Sequence, residues 1–501
     1  MRAAGVFLLP DGDVEPQMNA STGRSRLEKA TWLLWIVFLV SLPITSFPYF
    51  PPALGGAALV RPLALYPLIG LLILATLPRL WKGALPRPFL ALLAFAIVAA
   101  ASTLLAQFSG IQELRGVSLL ERSARNLITL GIGGAFYLTV ALLPRNPHEL
   151  RASLRWLYTG LGLALAWGTL QVVYVLIYIP AYFNLLDRLQ RLISTRKLFP
   201  ARVSGLTFEP NWFAEQISFL LLPWLLAAIF SGQTVFRWRW RWLTIETLLA
   251  VWAIGVLVFT YSRAGLFVMA LLILICILFF TPRLKRAAAG WRSYSRRIVL
   301  ALVLVGVLAA VLFAAGSQNK YFARLWRFWT DPESGDSFLT YIAFSQRFVY
   351  WEAAYRMFEA NPVFGAGLGN FAFYFADLLP DQPLFKTPEL LRQITPEAGR
   401  DKLITPKNLH IKILAETGLV GMATYLAFLI ALAGCVLYLL ARAGPEGAYW
   451  GRAGVLGLTA FLFAALSYDS FALPNMWVIF GLITSSALIF SKSRSSTVSG
   501  G

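Results

Sequence analysis

Apolar runs long enough to cross a bilayer recur along the whole of this 501-residue chain, and no other feature narrows its fold so far. A hydrocarbon core roughly 30 Å thick requires about 20 consecutive helical residues. Within it each backbone amide must find a partner inside its own segment, which a helix provides. Such runs fall at residues 31–48, 58–77, 88–105, 126–143, 155–179, 212–230, 243–261, 264–281, 298–316, 411–440, 453–470 and 474–490. Composition agrees: 58% of residues are hydrophobic and 14% charged, with mean hydropathy +0.66, far from soluble averages. The expected fold is all-α, a polytopic helical membrane protein with about 12 transmembrane helices. The run at 411–440 exceeds one span, so its first turns are expected to project from the membrane.

Basic residues near span ends stay on the cytoplasmic side, and every second connection here is basic. The sets are Arg24, Arg26 and Lys29; Arg79, Lys82 and Arg87; Arg145, Arg151 and Arg155; Arg237, Arg239 and Arg241; the run from Arg283 to Arg297; Arg442 and Arg452; and Lys492 and Arg494. This predicts cytoplasmic tails at 1–30 and 491–501, nine spans within 31–316, a long extracytoplasmic loop at 317–408 and three more spans within 409–490. The net charge of +20, from 44 basic and 24 acidic residues, then reflects topology and contact with anionic lipid, not a nucleic-acid partner. Cys276 and Cys435 both fall in spans, so neither a disulfide framework nor a metal site is implied. Residues 1–29 lack the apolar core of a signal peptide, and the Asp11-Gly12-Asp13 triplet reads as solvated tail.

Three connections on the expected outer face carry unusual chemistry. The first, 181–211, holds Arg188, Arg191, Arg196, Lys197 and Arg202 against Asp187 and Glu209, although outer loops normally shed basic charge. Leu185, Leu189, Leu192 and Ile193 recur at helical spacing, which predicts an amphipathic surface helix over Phe183–Lys197. Arg202 stands apart from it, beyond Pro200 and ahead of Glu209-Pro210-Asn211, where the next span begins. The second connection is the hairpin F-T-Y-S-R-A-G-L-F, centred on Arg263. A guanidinium at this depth needs a partner: it either reaches lipid phosphates or binds a substrate phosphate together with Arg202, for which its fork geometry is suited.

The third connection is the long loop. Phe348, Trp351, Tyr355 and Phe358 predict an amphipathic helix over Ser345–Ala360, stopped by Asn361-Pro362 and started beside Arg347. It lies on the membrane or on the spans. The V-F-G-A-G-L-G-N-F segment that follows has alternate glycines without a preceding strand, which points to close backbone packing or exposed amides, not to a dinucleotide fold. Prolines at 380, 383, 388, 396 and 406 predict an irregular lid, and Asp331, Glu333 and Asp336 read as a solvated turn. The loop ends at His410, one of two histidines; the other, His148, lies in a short basic loop. A histidine at a helix start is either structural or a proton acceptor, since imidazole titrates near neutral pH.

Four motifs occur in order: R-x-S-G from Arg202, S-R-A-G around Arg263, R-x-x-x-W from Arg347 with N-P-x-x-G-x-G-x-G-x-F, and H-x-x-x-x-x-E-T-G-x-x-G from His410. The ordered set resembles the O-antigen ligase and O-antigen polymerase family of bacterial membrane glycosyltransferases over roughly residues 200–430. The chain departs from the family at Asn408-Leu409-His410, where many relatives have histidine followed directly by asparagine. The resemblance implies a C-type, metal-independent, inverting glycosyltransferase of the bacterial inner membrane, without a cofactor. It would move a glycan from undecaprenyl diphosphate to a sugar hydroxyl at the outer face. Arg202 and Arg263 would oppose the charge developing on the diphosphate, and His410 would accept the proton of the attacking hydroxyl. Arg347, Glu209, Asn211, Gly367 and Glu416 are expected to contact substrate. A lipid A core acceptor would make the protein a ligase; another lipid-linked repeat would make it a polymerase. A transporter of lipid-linked sugars is a further alternative, although its signature of mid-span charges and paired broken helices is not evident.

Overall fold

The computed structural model describes residues 25–50, 60–240, 243–280, 319–329, 338–341, 344–379 and 403–498, with scattered positions between 299 and 317. The run 283–297, the cluster Asp331, Glu333 and Asp336, and the prolines at 380–396 lie outside the described residues. The principal helices are α1 (Arg26–Ser41), α2 (Leu65–Trp81), α3 (Arg87–Ala106), α4 (Leu119–Leu142), α5 (Pro147–Leu176), α6 (Pro180–Gln190), α7 (Pro210–Ser231), α8 (Ile245–Phe259), α9 (Arg263–Phe280), α10 (Ser345–Ala360), α11 (Leu409–Arg442), α12 (Gly444–Ala464) and α13 (Pro474–Val498).

Eleven of the expected runs coincide with one of these helices, and the other, 298–316, lies mostly outside the described residues. Among the described residues seven helices are long and apolar enough to cross a membrane: α3, α4, α5, α7, α9, α11 and α13. Helices α2 and α8 are apolar but shorter. The starts follow side-chain caps. Ser25 forms a capping box with Glu28, Ser118 accepts from the Glu121 amide, and Asn146 accepts from the Glu149 amide ahead of Pro147. Among the described residues three helices contain a widened π turn, Leu72–Thr76 in α2, Gln216–Leu221 in α7 and Cys276–Phe280 in α9. Each is followed in sequence by a proline two residues on, Pro78, Pro223 or Pro282. A proline ring has no N–H and crowds the carbonyl four residues back, so the turn opens.

The structure alters three expectations. The surface helix α6 starts at Pro180 and ends at Gln190, not at Lys197, because the Leu192 and Ile193 amides tighten onto carbonyls three residues back and the Asp187 carboxylate captures the Leu198 amide at 2.8 Å. The chain is not purely helical: β1 (Arg239–Trp240) pairs antiparallel with β2 (Leu243–Thr244). Helix α11, read in the sequence as one unbroken run, is interrupted at Gly418, where φ is 65° and ψ −166°. The predicted helix Ser345–Ala360 is found with those bounds.

Helix α11 packs along α3 and α12, α13 along α4, and α12 along α7. At the α4–α13 seam, Gly133 faces the Trp477 indole so closely that a Cβ there would lie 2.2 Å from the ring. Four residues on, the Tyr137 and Thr484 hydroxyls share a hydrogen bond of 3.0 Å. Overpacking of a buried seam costs about 1–3 kcal/mol. Gly133→Ala should therefore lower the melting temperature of the detergent-purified protein, whereas Gly131→Ala, with open space around it, should leave it unchanged.

Candidate functional site

The site begins with the turn that follows α8. Tyr261 adopts the left-handed region at φ 48°, which reverses the chain within a few residues. Ser262 then caps α9 by accepting from the Gly265 amide, so Arg263 occupies the first helical position. The Arg202 side chain is bound to this turn. Its Nε donates to the Thr260 carbonyl at 2.8 Å, and the Val203 amide donates to the Phe259 carbonyl at 3.0 Å. The second arm of the Arg202 guanidinium donates from Nη2 to Asn211 Oδ1 at 2.8 Å. Both arginines thus belong to one backbone assembly, although about sixty residues separate them. Glu209 is engaged elsewhere, in an ion pair with Arg196 at 2.8 Å.

His410 reaches the site through the break in α11. Asn408 caps the first arm by accepting from the amides of His410 and Ile411. His410 Nδ1 lies 3.4 Å from the Tyr425 hydroxyl of the same helix, 15 residues on. In a straight helix those residues would stand about 22 Å apart, so the chain folds back on itself at Gly418. His410 Nε2 lies 3.1 Å from the Leu462 carbonyl at the end of α12. A carbonyl can only accept, so Nε2 carries the proton and Nδ1 holds the basic lone pair. Arg347, in the first turn of α10, donates to the Leu466 carbonyl just past the same helix end. The Arg263 helix meets that end too, through Phe267 against Phe463 with ring centroids 5.8 Å apart. Arg202, Arg263, Arg347 and His410 are therefore arranged around the 260–263 turn and the C-terminal end of α12.

Gly367 and Glu416, expected at the substrate, are buried in the seam that holds the break. The Ala366 and Gly367 amides donate to the Ala415 and Glu416 carbonyls, and the Leu419 and Val420 amides donate to the Pro362 and Val363 carbonyls. The Glu416 carboxylate accepts from the amides of Gly369 at 2.7 Å and Phe371 at 3.3 Å. Ser102 and Thr103 of α3 close the assembly by bonding the Glu416 carbonyl and the Leu368 amide. A Cβ on Gly365 would lie 2.4 Å from the Thr417 amide nitrogen, and one on Gly418 2.3 Å from the Val363 carbonyl oxygen. Gly365 thus serves backbone-to-backbone contact, Gly367 and Gly369 make room for the Asn370 and Asn126 side chains, and the Gly369 amide meets the Glu416 carboxylate.

Two residues escaped the sequence reading. Tyr425 shares the basic nitrogen of His410, and only the backward fold of α11 reveals it. Glu215, in α7, is 7% exposed, and its Oε2 has no hydrogen-bond partner among the described residues. It stands one helical turn beyond Asn211, the partner of Arg202. A lone carboxylate inside an apolar run was the available signal. Glu246 and Asp469, by contrast, serve the backbone, accepting from the Val235 and Lys407 amides respectively. No group of three or more His, Cys, Asp or Glu among the described residues is placed to hold a metal ion.

Residues 248–426 match the O-antigen ligase family model. The resemblance read from the ordered motifs is borne out over that segment. The O-antigen ligase match begins in α8, passes through Arg263, Arg347, the glycine run, His410 and Glu416, and ends just beyond Tyr425. Arg202, Glu209 and Asn211 lie upstream of it. No curated protein matches the chain.

The seam makes a direct prediction. Gly418→Ala would impose a left-handed conformation on alanine and drive its Cβ into the Val363 carbonyl. A strained backbone position of this kind costs about 1–3 kcal/mol. Thermal melting should fall, and further than in Gly434→Ala, which meets open space on the same helix.

Proposed function

We propose that this chain is a membrane glycosyltransferase of the O-antigen ligase type. It takes a glycan from undecaprenyl diphosphate and joins it to a sugar hydroxyl at the outer face of the bacterial inner membrane. The observation that carries this reading is the common placement of Arg202, Arg263 and His410 around one turn and one helix end, within and beside the segment that matches the O-antigen ligase family. About twelve spans, cytoplasmic termini and a C-type architecture complete the proposal, on the alternation of basic connections along the chain.

In the proposed reaction the acceptor hydroxyl oxygen attacks the anomeric carbon from the face opposite the diphosphate. The bond from that carbon to the diphosphate oxygen breaks, the electron pair leaves with undecaprenyl diphosphate, and the anomeric centre inverts. His410 takes the hydroxyl proton at Nδ1 while Nε2–H stays bonded to the Leu462 carbonyl, which steadies the imidazolium. General-base assistance is typically worth about 10²–10⁴-fold. Arg202 and Arg263 meet the charge on the departing diphosphate. Arginines at phosphate-leaving reactions contribute on the order of 10³-fold or more, and in the proposed scheme they take the charge that a divalent metal would otherwise meet. Arg347 and Asn211 are proposed to contact the substrates; Glu416 and Gly367 act on them through the arm that carries His410.

Reconstitution with undecaprenyl-diphosphate oligosaccharide tests this. His410→Ala, Arg202→Ala and Arg263→Ala should each lower transfer by at least about 10²-fold with unchanged membrane insertion. A fully active His410→Ala would remove the base assignment. Transfer should also persist in EDTA, and loss restored by Mg²⁺ would overturn the arginine-only scheme. One transfer to a core acceptor identifies a ligase, whereas a ladder of lengthened chains identifies a polymerase with the same chemistry.

A further inference from the structure

Helix α10 buries one side and leaves the other uncovered. Val349, Tyr350, Ala353, Ala354 and Met357 are buried, and the helix packs against α11. The opposite line is formed by Phe348, Glu352, Tyr355 and Glu359, at spacings of three and four residues that place them on one face. Phe348 is 45% and Tyr355 48% exposed. The rings continue along one flank: Phe344, Phe348 and Trp351 meet edge to face with centroids 5.4–6.2 Å apart, and Tyr355 meets Phe358 at 6.0 Å.

We propose that this face is a glycan-stacking platform, binding a polysaccharide chain longer than one repeat beside the transfer site. The inference rests on the glycosyltransferase reading and extends it to the chain being held. Aromatic rings present an electron-rich face, which attracts the polarised C–H bonds on the flat side of a pyranose. Carboxylates interleaved with the rings accept hydroxyl hydrogen bonds. Glu352 supplies one here, 47% exposed and paired with Arg356 at 2.9 Å; Glu359 supplies another.

The protein contains its own contrast. On α6 the uncovered residues are aliphatic, Leu185 and Leu189, continued by Leu192, with Arg188 and Arg191 alongside. That is the composition of a helix seated among headgroups. Helix α10 has rings and carboxylates where α6 has leucine, and immersion of those carboxylates in lipid would be costly. The platform is also continuous with the site. Arg347, next to Phe348, bonds the Leu466 carbonyl, one turn beyond the Leu462 carbonyl that holds His410. A chain whose reacting sugar lies at His410 could therefore run outward along α10.

The test uses the full chain in phosphatidylethanolamine–phosphatidylglycerol nanodiscs. The probes are oligosaccharides of one and four repeats, released by mild acid from the host's own lipid-linked glycan. The wild type should bind the four-repeat probe at least tenfold more tightly than the one-repeat probe. Phe348→Ala/Tyr355→Ala, confined to exposed side chains, should bind both alike and still transfer a single repeat. A length preference that survives in this variant, or one missing from the wild type, overturns the platform. A spin label at Tyr355→Cys that reports immersion among acyl chains overturns it as well, marking a lipid contact. Single-repeat transfer, lost in Arg263→Ala, decides the glycosyltransferase reading separately.

Discussion

Two strands of main chain touch at Gly365 and Gly418 with no room for a side chain between them, and the rest of the site depends on that contact. The arm from Leu409 to Thr417 is only about two turns long, too short for a helix to persist by its own hydrogen bonds. It is held by backbone amides and carbonyls from the 362–369 segment, by the Glu416 carboxylate and by two hydroxyls of α3. Those bonds set the direction in which His410 points. In the proposed reaction the imidazole must stand within hydrogen-bond reach of the proton it takes, so there the seam contributes to the geometry although no part of it need meet substrate.

The arginines are fixed by another route. A guanidinium in apolar surroundings is costly unless its donors are met, and Arg202 has a carbonyl and an amide oxygen as partners. The carbonyl comes from the turn that positions Arg263. One reversal of the chain, made possible by the left-handed Tyr261, thereby governs the relation between both cations. On the other side, Leu462 and Leu466 offer carbonyls at the end of α12, where a helix leaves its last carbonyls without internal partners. His410 and Arg347 take those two places.

Much of this was legible in the sequence, and what was not has a common cause. Apolar runs and caps are local, so helix positions and the bounds of α10 could be read directly. The glycine run and the E-T-G motif were both visible, but their contact spans about fifty residues, and nothing local pairs them. Glu416 therefore looked like a substrate contact, because a carboxylate that binds backbone amides and one that binds a ligand have the same signature in sequence. Gly418 sat within a continuous apolar run, where a glycine is tolerated in a straight helix, and the backward fold that brings Tyr425 to His410 was hidden with it. Glu215 was obscured by the surrounding apolar residues. The end of α6 was misjudged because Asp187 acts on an amide eleven residues away.

The widened turn in α7 has a consequence for how that helix is oriented. Opening a turn leaves main-chain groups poorly matched, and hydrocarbon cannot satisfy them, so that side must meet other protein; residues Gln216–Leu221 are all buried. The turn acts as a key that admits one rotation of α7 about its axis. Asn211 lies just upstream, so its azimuth toward Arg202 depends on a proline twelve residues along the chain.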